Sequence, residues 1–167
     1  AALAVSSIAG YGFEIYHDKA KDTVMAILML AMMVPFVAVL VPLFQMFTKA
    51  KLINSWTGFI LPSIATPFLI MYFRNSARSF PRDTLEAARI DGLNEFQIFI
   101  RMFIPMMKPT YASAATITFM GAWNAYLWPK VVMQTNEAIT MPMLVANTMG
   151  GYVIDYGVVM AAVTICS

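Results

Sequence analysis

A chain of 167 residues in which 60% of side chains are apolar and only 12% are charged cannot cover itself in water, since an ordinary soluble domain carries about 25% charged residues. The formal charge of +2 comes from basic residues scattered at the ends of apolar runs, not from one stripe, which excludes nucleic acid as a partner. One cysteine, Cys166, excludes an internal disulfide, and one histidine, His17, is too few for a His-based metal site.

Charge is absent from Thr23 to Thr48 (26 residues), from Leu52 to Phe73 (22) and from Pro109 to Pro129 (21). Each run reaches the roughly 20 apolar residues that a membrane-spanning helix needs. Two further apolar runs lie at the ends. The sequence starts without Met and stops inside an apolar stretch, so both ends read as truncations of longer spans. The runs do not alternate as barrel strands would, and lipid admits only helices or closed barrels. The expected elements are therefore five helical spans, at 1–16, 23–47, 55–78, 106–129 and 152–167.

Basic residues set the orientation. The first loop holds Lys19 and Lys21, and the third holds Arg74, Arg78, Arg82, Arg89, Arg101 and Lys108. The second holds Lys49 and Lys51, and the fourth Lys130 alone. Eight basic residues against three put loops one and three on the cytoplasmic side. Pro35 and Pro42 interrupt the second span, where each can kink a helix. Such kinks suit a moving gate, and membrane helices also tolerate proline without one. Trp56 and Phe59 open the third span, Tyr72 and Phe73 approach its end, and Trp123, Tyr126 and Trp128 close the fourth, all as interface anchors.

The third loop is too polar to span and too patterned to be disordered. Phe80-Pro81 starts a helix with Pro at its first position, and Asp83 and Glu86 follow where the helix dipole favours acids. Asp91-Gly92 reads as a break. Asn94 followed by Gln97 resembles a capping box that opens a second helix. Phe96, Phe99, Ile100 and Phe103 fall at i, i+3, i+4 and i+7, which predicts one apolar ridge. That ridge has two fates: packing on the chain's own helix ends, or docking in a groove of a soluble partner. The fourth loop, Lys130 to Gly151, is broken by Pro142, Asn147 and Gly150-Gly151 and reads as a partly inserted external segment.

Glu86-Ala87-Ala88, three residues, Gly92, nine residues and then Met102-Phe103-Ile104-Pro105 resembles the EAA signature of ABC importer permeases. The signature ends I-x-L-P, so the chain departs from it only in having Met102 for Ile and Ile104 for Leu. Met33-Val34-Pro35, Asn54-Ser55-Trp56, Leu61-Pro62, Phe119 to Asn124, Leu127-Trp128-Pro129 and Met141-Pro142 resemble the carbohydrate-uptake, maltose-type branch of the family. The resemblance implies an all-α, polytopic membrane helix bundle of the type I importer (MetI-like) kind, with about five of six spans present. It implies one permease domain over 1–167, truncated at both ends, with a cytoplasmic coupling loop at about 79–105.

The implied function is half of the translocation pathway for a sugar or oligosaccharide in the bacterial inner membrane. The implied partners are two copies of a cytoplasmic ATPase subunit, a second homologous permease, an extracytoplasmic solute-binding protein and the surrounding lipid. The chain itself would hold no cofactor and no catalytic site; ATP and Mg would be bound by the ATPase. Glu86, Ala87, Ala88, Asp91, Gly92, Phe96, Phe99 and Pro105 carry over as the coupling loop. Trp123, Asn124 and Tyr126, with Trp128 beside them, are candidate translocation-pathway residues through ring stacking and hydroxyl recognition; an interfacial aromatic belt explains them equally. A permease for an amino acid, peptide or polyol phosphate is the alternative within the class. An ion-coupled secondary transporter is disfavoured because none of the three complete runs carries an ionisable residue. A membrane enzyme is disfavoured because no paired carboxylates or Ser/His/Asp set lies in a span.

Overall fold

The computed structural model describes residues 1–16, 18–135, 139–149 and 156–166. Every regular element among them is helical. In chain order these are α1 (Ala2–Ile15), α2 (Lys19–Met32), α3 (Phe36–Lys49), α4 (Trp56–Ile60), which runs into a 3-10 turn at Leu61–Ser63, and α5 (Pro67–Ala77). Next come α6 (Arg82–Ile90), α7 (Glu95–Ile98), a π turn at Phe99–Phe103, α8 (Ile104–Met106) and α9 (Lys108–Trp123). The last three are α10 (Leu127–Val132), α11 (Met141–Met149) and α12 (Tyr156–Cys166). His17, Gly150 and Gly151 lie outside the described residues, as does the side chain of Cys166.

Three expected spans are more broken than their uncharged runs suggest, and proline stands at two of the breaks. Pro35 lacks a donor and pushes Val34 out of helical backbone, so the second span divides into α2 and α3. Pro42, by contrast, is accommodated inside α3. The third span divides around Pro62 and resumes with Pro67 at the first turn of α5, where a missing N–H costs nothing. The fourth stops at Trp123 rather than 129. A new helix, α10, starts at Leu127 with Pro129 in its first turn, and the Ala125 carbonyl between the two helices accepts from Thr140 Oγ1 at 3.3 Å. Among the described residues no single helix is long and apolar enough to cross a membrane, while α2 with α3, and α4 with α5, reach that length and composition as interrupted pairs. The segment read as an external loop contains a helix, α11, packed on α12.

Two compact units divide the chain, Ala1–Pro35 with Pro62–Ile117, and Phe36–Leu61 with Thr118–Ser167. In the first, α1 lies along α5. Ser6, Ser7 and Gly10 make this possible: all three are buried, and a Cβ at Gly10 would stand 2.6 Å from Phe73 Cβ and 2.7 Å from the Arg74 nitrogen. Small residues one turn apart let two backbones approach, as they do between helices in lipid. At the end of this pair Arg74 is buried and paired with two carboxylates. Its Nε meets Glu14 at 3.3 Å and its Nη2 meets Asp22 at 2.8 Å, so one guanidinium joins α1, α2 and α5. A buried cation persists only when paired in this way.

The second unit is centred on Trp128, which packs edge-on against Phe47 (5.1 Å) and Phe36 (6.4 Å) and donates its indole N–H to the Phe59 carbonyl at 3.2 Å. Trp128 is therefore a core residue and not the interface anchor expected from sequence. Asn54 takes the left-handed conformation that asparagine tolerates, with φ 57°. Its backbone N–H reaches the Val132 carbonyl at 2.8 Å, and its side-chain oxygen receives the Gln134 N–H.

Candidate functional site

Residues 79–105 fold as a short helix, an elbow and a second helix on a buried base. Pro81 is the N-cap residue of α6, which starts at Arg82, one residue later than expected. In α6 the two alanines of the Glu-Ala-Ala triplet part company: Ala88 and Leu85 are buried in the chain's own core, whereas Glu86 and Ala87 are exposed. Ile90 is 85% exposed, a large apolar group with no cover.

The elbow is closed by backbone geometry. Gly92 has φ +78°, and its N–H bonds the Arg89 carbonyl at 3.1 Å while Leu93 N–H bonds that of Ala88 at 3.0 Å. This is the paired helix stop that glycine favours, because other residues lose energy at positive φ. Asp91, the C-cap, is exposed. The expected capping box then forms. The Asn94 side chain accepts from Gln97 N–H at 2.9 Å, and the Gln97 side chain accepts from Asn94 N–H at 3.0 Å.

The single ridge expected of Phe96, Phe99, Ile100 and Phe103 does not form. Phe99 and Phe103 are buried together with Ile98, but Phe96 is 68% and Ile100 45% exposed. The π turn explains the split. Ile104 N–H bonds Phe99, five residues back, just ahead of Pro105, which has no N–H to give. An α-helix advances about 100° per residue, and the wider turn advances less. By Phe103 the lag has carried the ring off the Phe96–Ile100 line and onto the Ile98–Phe99 side. The loop thus has both fates at once. One face is its own core, where the rings of Phe99 and Phe103 stack at 5.5 Å. The other presents Ile90, Phe96 and Ile100.

Three polar residues that sequence reasoning missed brace the elbow. Glu95 Oε1 accepts from Arg89 Nε and Nη2, both at 2.8 Å, and Glu95 Oε2 accepts from the Tyr11 hydroxyl of α1 at 3.4 Å. The hydrogen bond to Glu95 pushes the Arg89 guanidinium above its ordinary value. The signal was faint: a basic residue in the last turn of one helix and an acid in the first turn of the next, six positions apart. A pocket of about 140 Å³ lies between α1, α5 and α6, lined by Glu14, Arg78, Arg82, Leu85, Glu86 and Arg89. Among the described residues Glu86 makes no ion pair.

The other candidate residues belong to the second unit. Trp123 ends α9 stacked on Phe119 at 5.6 Å, and both it and Asn124 are exposed. The Asn124 side chain is turned back to the Met120 carbonyl at 3.0 Å. Tyr126 is half-buried under Lys130, whose ammonium sits 4.9 Å from the ring centre.

Comparison with known proteins places the chain among transport proteins of one family. The chain is 44% identical over 158 residues to the lactose transport system permease protein LacG of Rhizobium radiobacter, covering 95% of this chain and 58% of that protein. It is 35% identical over 159 residues to the arabinooligosaccharides transport system permease protein AraQ of Halalkalibacterium halodurans, covering 95% and 57%. The chain thus spans little more than half the length of these relatives. In fold it is similar to a chain in the crystal structure of a bacterial ABC transporter involved in the import of the acidic polysaccharide alginate, with a TM-score of 0.78 at 23% identity over 96% of this chain and 58% of that one. The family model for binding-protein-dependent transport system inner membrane components matches residues 2–167, and the chain belongs to that family.

Proposed function

We propose that the chain is part of a permease subunit that forms half of the translocation pathway for a sugar or oligosaccharide in an ABC importer, with both compact units belonging to one permease domain. Residues 79–105 face the cytoplasm, as the distribution of Lys and Arg favours, and couple ATP hydrolysis in a partner subunit to alternating access. The observation that carries the reading is the exposure of three large apolar residues, Ile90, Phe96 and Ile100, on a polar loop that also exposes Glu86 and Ala87 and rests on a buried base. Large apolar groups exposed together on a polar loop mark a protein contact. A short helix laid into a groove is a common way to make one. Ala87 lets a partner backbone come close, and the free carboxylate of Glu86 suits a basic group across the interface.

On this reading the permease performs no bond chemistry. ATP and Mg belong to two copies of a cytoplasmic ATPase, whose closure pushes the loop and switches the spans between inward- and outward-open states. A second homologous permease completes the pathway, and an extracytoplasmic binding protein delivers the solute. The sugar class is supported by the relatives named for lactose and arabinooligosaccharides, and by the ring and amide groups of Trp123, Asn124 and Tyr126. The test uses the complete importer. Membrane vesicles carrying it should take up radiolabelled lactose or arabino-oligosaccharide only when MgATP and the binding protein are supplied. Glu86→Lys should abolish uptake and weaken co-purification of the ATPase. Normal uptake with normal ATPase retention in that variant overturns the coupling role.

A further inference from the structure

The coupling role needs more than a docking face. A push received by α6 must reach a membrane helix without being absorbed at the elbow. Backbone alone does not secure this, because the turn at Gly92 is glycine-permissive and α7 is only Glu95–Ile98 before the π turn begins. Leu85 and Ala88 of α6 share a core with Tyr11, Phe99 and Phe103, and that apolar packing sets the spacing across the elbow; the directional side-chain tie that crosses it is one carboxylate. Glu95 takes two bonds of 2.8 Å from Arg89 at the end of α6, and on its other oxygen the Tyr11 hydroxyl of α1. Tyr11 is itself 5% exposed. Its ring is wedged edge-on between Phe99 (5.2 Å) and Phe103 (4.9 Å), so its hydroxyl has little freedom to swing away. Two guanidinium N–H groups converge on the single oxygen Oε1, and charge-assisted bonds of this length are about twice as strong as neutral ones.

We propose that Glu95 is a positioning residue that locks the elbow of the loop to α1 through Arg89 and Tyr11, so that displacement of α6 by a partner moves α1 with it as one body. This rests on the coupling reading above, but it is a statement about rigidity and is measured separately. Glu95 need not touch the solute or the ATPase. Its removal should leave the docking face of Ile90, Phe96 and Ile100 in place while loosening the link behind it.

The test is a spin-label distance measurement on the purified, full importer, with Cys166→Ser as background and labels at Ile8→Cys in α1 and Asp83→Cys in α6. With the native joint the distance distribution should be narrow and should keep its width when MgATP is added. Glu95→Ala should broaden it at least about twofold, a change in local stability of the size expected for elements with few remaining ties. Glu95→Gln, which keeps an acceptor for Tyr11 but loses the ion pair, should fall between. The exchange of Arg89→Glu with Glu95→Arg restores the ion pair without Tyr11's acceptor, so it should reverse part of the broadening, which no general loss of folding would do. Coupling should follow: solute imported per ATP hydrolysed should fall about tenfold in Glu95→Ala. Equal widths in the native and Glu95→Ala proteins overturn the joint, and so does broadening that the exchange does nothing to reverse. If Glu86→Lys leaves uptake intact while the widths behave as stated, the coupling reading has failed and the joint has not.

Discussion

Replacing Gly92 by valine isolates backbone conformation from side-chain bulk. An added Cβ at Gly92 meets nothing within 4 Å, so the site has room for a larger residue. The obstacle is φ +78°. Left-handed backbone costs an L-residue about 1–2 kcal/mol, and strained positions with bulkier residues reach about 1–3 kcal/mol. Valine has one escape, a return to negative φ, but this breaks the two bonds that stop α6, from Gly92 N–H to Arg89 and from Leu93 N–H to Ala88. Each is worth about 0.5–1.5 kcal/mol net, so the escape costs roughly the same as the strain. By either route the native elbow loses about 1–3 kcal/mol, or about 5–150-fold in population. Asparagine tolerates this conformation and serves as the control. Uptake of labelled lactose by vesicles carrying the complete importer, with ATPase retention read in parallel, should rank Gly92, then Gly92→Asn, then Gly92→Ala, then Gly92→Val. Native uptake in the valine variant would refute the reasoning. So would an asparagine variant as damaged as the valine one, because that pattern belongs to bulk at a partner's surface and not to φ.

Gly10→Leu should prevent α1 from lying on α5, since even a Cβ there stands 2.6 Å from Phe73 Cβ; the check is loss of folded subunit from detergent-solubilised membranes. Phe103→Ala should cost about 3–5 kcal/mol from a fully buried site, seen as a fall in thermal stability. Phe96→Ala, by contrast, should leave stability within about 0.5 kcal/mol, as exposed sites do, while lowering ATPase co-purification. Arg74→Met leaves Glu14 and Asp22 facing an apolar side chain and should destabilise by about 1–3 kcal/mol, discounted because Asp22 is half-exposed; protease sensitivity of the subunit reports it. A cysteine placed at Arg89 should escape membrane-impermeant labelling in intact spheroplasts, and ready labelling there would reverse the orientation.

Local grammar was readable in the sequence where one or two residues decide the outcome. Gly92 as a helix stop, Asn94 with Gln97 as a cap, and the all-helical class follow from backbone sterics and hydrogen-bond accounting that need no tertiary context. Span continuity was less legible. The uncharged runs across Pro35 and Pro62 satisfy a length criterion that ignores where a carbonyl loses its donor. The ridge of Phe96, Phe99, Ile100 and Phe103 failed for a related reason. Its i, i+3, i+4, i+7 spacing assumes constant rotation per residue, and the wide turn ahead of Pro105 violates that assumption. Trp128 looked like an interfacial ring because a tryptophan beside Pro129 and Lys130 has that composition; only the chain's return past Phe47 and Phe59 makes it a core residue. The Arg89–Glu95 pair left only a faint local signal, and the part played by Tyr11 was invisible because 84 positions separate it from Glu95.

The π turn also gives the interval between Gly92 and Pro105 the status of a mechanical dimension. It holds one residue more than a regular helix of the same rise would use, and that surplus sets the phase between the Phe96–Ile100 line and the helix that Pro105 leads into. Deleting Arg101 would relax the wide turn into ordinary helix with no apolar group lost. It would also turn one end against the other by tens of degrees, like a crankshaft with its throw re-cut. Composition, burial and docking residues would all survive, but the stroke would arrive pointing the wrong way. Point substitutions along this stretch are therefore milder, as a class, than any change in its length.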